Sequence, residues 1–258
     1  MLRAALIAAG LNVVVVAPSA NQSGISRAAT YKNPIRAALI ESEGGKVYSV
    51  AGTPVDCVRI ALGGGLVADA DLVISGINHG ANVGDDIYNS GTVGAAVEAA
   101  LFDVAAMAVS QQSLVDHFNI LDPVGVPTVG FEQSARYGVA VARALLDKSA
   151  ATRTVVNVNV PAVVPSGIAV TRLGKRFYQR NSLEPLGEHG PSTYYLVYGS
   201  SEGQAAPFET AGGTDFAALQ EGLVSVSPVD YEHGLDASFE LADWAQGLVG
   251  RAEEHLAL

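Results

Sequence analysis

The sequence holds a single cysteine, Cys57, among its 258 residues. An intramolecular disulfide is therefore excluded, and the cysteine usage fits a reducing cytoplasm. Basic side chains are also scarce: Lys and Arg total 15 against 26 Asp and Glu, for a formal net charge of -11. Nucleic-acid backbones are held chiefly by Lys and Arg, so this balance disfavours a general nucleic-acid binder. An acidic protein still takes a phosphate monoester where a cation neutralises it locally. No apolar run approaches the roughly 20 residues of a membrane helix. The five histidines are scattered, with no pair at the H-E-x-x-H spacing of a zinc site. No G-x-G-x-x-G follows an early strand, which argues against a dinucleotide-dependent oxidoreductase.

What is present is a chain with 49% hydrophobic residues and alternating strand and helix patterns, enough for one large α/β domain. Its densest signal is SGINHGANVGDD, residues 75–86, directly after the apolar, strand-like stretch 71–74. Glycines 76, 80 and 84 give backbone freedom where a ligand must approach closely. In an open α/β sheet ligands sit beyond the carboxyl ends of strands, where Asn78 and Asn82 offer neutral oxygens or amide donors. Ser90, Gly91 and Thr92 follow at an expected helix start, whose free N–H groups favour an anion. A second loop of this kind, Asn21-Gln22-Ser23-Gly24, follows the β-branched run 13–17.

The chain opens with Leu2, Ala5, Leu6 and Ala9 at helical spacing, leading into that run. A helix crossing to a parallel strand should have an earlier strand to cross from, and none precedes it. The stretch 1–20 superficially resembles a secretory signal, but Gly10 and Asn12 interrupt it and cleavage would discard a strand of the fold. Cys57, in a helix-like apolar setting, reads as a buried structural thiol; His79 reads as a substrate-edge or solvent-facing loop residue. Further on, 155–160 is a strand with Asn157 and Asn159 on one face. The segment 168–171, the basic cluster Arg172, Lys175 and Arg176, and the aromatic strand 194–198 suggest β-hairpins leaving the core. Leu241, Trp244 and Leu248 mark a carboxyl-terminal helix with an apolar stripe.

APSANQSG from Ala17, AGTPVDCV from Ala51, DLVISGINHGANVGDD from Asp71 and SGTVGAAVE from Ser90 together resemble the SurE family of 5'/3'-nucleotidases; NVNVP from Asn157, VTRLGKRFY from Val170 and TDFAALQEGLVSVSP from Thr214 extend the likeness along nearly the whole chain. The resemblance implies a Rossmann-like, mostly parallel α/β sheet flanked by helices, with a carboxyl-terminal β-hairpin extension used for oligomerisation. It implies one domain over 1–258: a core over 1–150, lacking its first strand, then a core strand, hairpin arm and helix over 151–258. The implied activity is metal-dependent hydrolysis of nucleoside 5'- and 3'-monophosphates in the cytoplasm by a homodimer or homotetramer. One divalent ion per subunit, Mn or Mg, is implied, with Ser23 and Asn78 as ligands; Asn82, Ser90, Gly91 and Thr92 would hold the phosphate.

The family's other ligands are two adjacent aspartates in an Asn-Asp-Asp-Gly turn that ends its first strand, and no such turn stands ahead of the helix here. Asp85 and Asp86 match the family's own Gly-Asp-Asp after the asparagine loop and cannot stand for that pair. Three explanations are expected to cover this: a start assigned too far downstream, a shortened chain, or a variant that has lost its metal carboxylates. The first is preferred because nothing else in the chain looks decayed. The alternative function is a catalytically impaired nucleotide-binding or scaffold homologue.

Overall fold

The structure, a computed structural model, describes residues 1–40, 45–67, 69–113, 131–147, 154–177, 183–197, 208–209, 211–231 and 238–257. Leu2–Ala8 forms α1, which buries Leu2 and Leu6 one turn apart. Strands β1 (Val15–Pro18), β2 (Ala37–Ile40) and β3 (Val47–Val50) form a sheet of order β1-β3-β2, with β1 parallel and β2 antiparallel to β3. Helix α2 (Pro54–Leu62) starts at a capping box: Asp56 N donates to Thr53 Oγ1 at 3.1 Å and Thr53 N donates to Asp56 Oδ2 at 2.9 Å. Proline at its first position loses no helical bond there.

A larger sheet has the order β4-β5-β6-β10-β7, from β4 (Leu72–His79), β5 (Ala105–Gln111), β6 (Thr154–Val160), β7 (Ile168–Val170) and β10 (Val224–Asp230). β4, β5 and β6 run parallel, β10 is antiparallel to β6 and β7 is parallel to β10. Helix α3 (Gly91–Leu101) links β4 to β5, α4 (Glu132–Asp147) precedes β6, α5 (Asp215–Gln220) precedes β10 and α6 (Ser238–Leu256) follows it. The hairpin of β8 (Leu183–His189) and β9 (Ser192–Val197) pairs only with itself among the described residues. Tyr198 and the side chain of Leu241 lie outside the described residues.

The strands divide the interior by their period of two. Val156, Val158 and Val160 of β6 face a core built with α1, α4 and α6, including Leu6, Val141 and Leu248. Val155 faces the other way, onto Ala95, Ala96 and Ala99 of α3 and onto Val58 of α2. One of these helix layers also covers β1, through α2, which packs on β1 and on α3; on the other side α1 packs on α4 and α4 on β4. Yet among the described residues no strand bonds the outer edge of β1 or of β4. The interior is therefore discontinuous there, and Leu72, Val73 and Ile74 stay half-buried while all of β6 is buried.

One boundary differs from the sequence reading, in which residues 75–79 belong to the loop. They continue β4 to His79, because a bulge between Gly76 and Asn78 keeps the pairing with β5 in step. Gly76 sits at φ +137°, and a Cβ there would run into the carbonyl of Val109, so only glycine lets the strand continue.

Candidate functional site

The loop leaving β4 is fixed from three directions. Asn82 is buried; its N–H donates to Asn159 Oδ1 at 2.8 Å, and its carbonyl accepts from Asn157 Nδ2 and Asn159 Nδ2, each at 2.9 Å. Its side chain donates to Ser110 Oγ at 2.7 Å. Gly84 N donates to Asp215 Oδ2 at 2.7 Å, and the other oxygen of Asp215 accepts from Gly174 N and Phe216 N, both at 2.9 Å. Burial is the largest influence on Asp215 and pushes its carboxyl above the ordinary range against those three N–H donors.

Arg176 makes the third attachment. Its N–H donates to Asp85 Oδ2 at 2.7 Å, and its guanidinium bonds Asp86 Oδ2 while stacking on Phe208 at 4.5 Å. Burial raises the Asp86 carboxyl, and Arg176 works against that rise. Within the basic cluster, Arg176 points inward onto Asp86, while Arg172 pairs at the surface with Glu209 at 2.8 Å.

The loop after β1 lies against the start of α3. Ser26 N donates to Asn89 O at 2.9 Å, and a Cβ at Gly94 would stand 2.8 Å from Ser26 O. Gly91 is similarly close to Gln22 O and Ile25. Ser90 caps α3, its Oγ accepting from Val93 N at 3.1 Å, so the first N–H groups at Gly91 and Thr92 are those left without helical acceptors. The structure therefore brings the Ser23 loop to Ser90, Gly91 and Thr92. Ser23 itself is exposed and donates to Asn21 Oδ1 at 3.0 Å; Asn78 is half-buried and donates to Gly80 O at 2.8 Å, which leaves its carbonyl oxygen for a ligand. His79 is exposed and meets Phe131 edge-on at 6.0 Å. Cys57 is buried, and burial pushes its thiol up to about 12, as expected of a structural thiol.

Hard divalent cations take six or more oxygens, usually with carboxylates among them. Ser23 and Asn78 offer two neutral oxygens, and no cluster of three acidic, His or Cys side chains able to hold a metal occurs among the described residues. Asp85 and Asp86 are committed to Arg176. These residues by themselves do not fit such an ion.

Asp215, Arg176 and the asparagines of β6 are the parts that sequence reasoning left without a role. Their partners in the β4–α3 loop lie 75 to 131 positions away, beyond any local spacing.

The mostly parallel sheet flanked by helices, with a polar loop leading from a strand end into a helix start, defines a Rossmann-like α/β protein. The family described as Survival protein SurE matches residues 1–180. A 5'-nucleotidase SurE of Syntrophotalea carbinolica is 39% identical over 234 residues, covering 90% of this chain and 86% of that protein. Another, of Xanthomonas axonopodis pv. citri, is 37% identical over 256 residues, covering 96% and 90%. The crystal structure of the SurE protein from Aquifex aeolicus superposes with a TM-score of 0.70 at 29% identity, covering 95% of this chain and 92% of that one. The chain belongs to the SurE family.

Proposed function

We propose that this chain is a 5'-nucleotidase that hydrolyses nucleoside 5'-monophosphates, and 3'-monophosphates as well, to nucleoside and phosphate. The observation that carries the reading is the meeting of the Ser23 loop with the amino terminus of α3, in a chain whose relatives are named 5'-nucleotidases. The N–H groups of Gly91 and Thr92 would receive the phosphate, with Asn82 shaping the adjoining loop. The cofactor in this reading is one divalent ion per subunit, Mn or Mg, with Ser23 and Asn78 among its ligands. An additional parallel strand between β1 and β4 would end beside those two residues, and acidic residues at its end would complete the ligand set.

The protein would work in the cytoplasm; no helix among the described residues is long and apolar enough to cross a membrane. Exposed Leu186, Tyr194 and Tyr195 on the β8–β9 hairpin support a homodimer or homotetramer. The incomplete ligand set favours a second reading, a nucleotide-binding homologue without turnover. Phosphate release from adenosine 5'-monophosphate and adenosine 3'-monophosphate, with and without a chelator, separates the two. Chelator-sensitive release, by this chain or by one extended with the family's Asn-Asp-Asp-Gly strand, supports the enzyme; saturable binding with no release from either supports the second reading.

A further inference from the structure

Asn157 and Asn159 interrupt a strand whose neighbouring positions, 155, 156, 158 and 160, are all valine, and both are fully buried. Their cross-strand partners are small: Ala108 and Ser110 on β5, Ser227 and Ser225 on β10. A buried amide there must have its hydrogen bonds met or it costs stability. Among the described residues Asn157 Oδ1 has no partner. Stability alone favours an apolar side chain at that position.

What the amides do is fasten one residue of the β4–α3 loop. Asn159 meets both backbone groups of Asn82, accepting from its N–H and donating to its carbonyl, much as a neighbouring strand would. Asn157 gives that carbonyl a second donor, and Asn82 in turn reaches Ser110. Backbone and side chain of one loop residue are thereby tied to the carboxyl ends of two parallel strands.

We propose that Asn159, supported by Asn157, is a positioning residue for the phosphate ester: it sets the backbone at Asn82 and so the relation between Asn78 and the start of α3. This rests on the function proposed above. Asn159→Asp keeps the size and the acceptor for Asn82 N–H but turns an oxygen toward the Asn82 carbonyl. Two quantities are read on the 258-residue chain: amide hydrogen exchange at residues 82 and 84, and the Kd for adenosine 5'-monophosphate by calorimetry.

Asn159→Asp is expected to speed exchange and to weaken binding, each by about tenfold or more. Asn157→Ala, which removes only the second donor, is expected to weaken binding by about threefold and covers the case in which the first variant does not fold. Thr171→Val serves as control: it strips a hydroxyl from the buried Thr171–Ser225–Ser227 cluster of the same polar layer without touching the loop. It is expected to lower Tm and leave both readings unchanged. Equal weakening of binding by Thr171→Val and by the asparagine variants at matched loss of Tm would overturn the proposal, as would unchanged exchange at 82 and 84. A native chain with no affinity for the nucleotide would instead sink the function proposed above.

Discussion

Asp56 carries more of the fold than its place in the α2 capping box suggests. It caps α2 and also accepts from Thr30 N at 2.9 Å and Thr30 Oγ1 at 2.6 Å, tying the loop after β1 to the helix. Burial is the largest single influence and acts upward, but the bonds from Thr30 and Thr53 together leave the carboxyl below its ordinary 3.8. A carboxyl depressed in the fold adds stability above its unfolded pKa and loses it as pH falls through the folded value. Asp56→Asn is therefore expected to cost about 1–2 kcal/mol at pH 7, with the gap narrowing below pH 3.8; denaturant melts at pH 7 and pH 3 check both signs. Asp215 and Asp86, raised by burial, act in the opposite sense, their contribution falling as pH rises from the ordinary carboxylate value. Glu98, buried on α3, accepts from Arg27 Nη1 at 2.7 Å and Arg59 Nε at 2.6 Å. Glu98→Ala is expected to cost about 2 kcal/mol in a denaturant melt, less than a fully buried pair because both arginines are part-exposed.

At the scale of elements, much was legible where the pattern is local. The period of α1 and the valine run of β6 appear as expected, and of the α6 stripe Leu248 lies in the core with Trp244 packed against it. β2 and β3 were not legible: four residues each, partly exposed, they offer too short a pattern to read. The continuation of β4 through Gly76 was hidden because its glycines and asparagines also signal turns. The loop's attachments were hidden for another reason, since each joins residues far apart in sequence. Gly84 shows how tightly they fit: it has φ +51°, and a Cβ would stand 2.6 Å from Gly174 O. Gly84→Ala is expected to destabilise by about 2 kcal/mol or more, from left-handed strain and displacement of the Asp215 bond together; loss of Tm in a thermal melt checks it.

For the whole molecule, the described strands form separate sheets at β1 and β4, while α2 on β1 and α3 on β4 pack together across the division. In the function proposed above, Ser23 and Asn78 stand on the two sides of this division, and the carboxylates implied by the family resemblance would lie on a strand between them. Fold and chemistry thus share one requirement. The most direct measurement is phosphate release from adenosine 5'-monophosphate in Mn or Mg, comparing this chain with one carrying an apolar strand and an Asn-Asp-Asp-Gly turn ahead of Met1. The account predicts little release by the 258-residue chain and a metal-dependent gain on the order of 100-fold or more in the extended one. An extended chain that folds and gains no metal-dependent activity would contradict it.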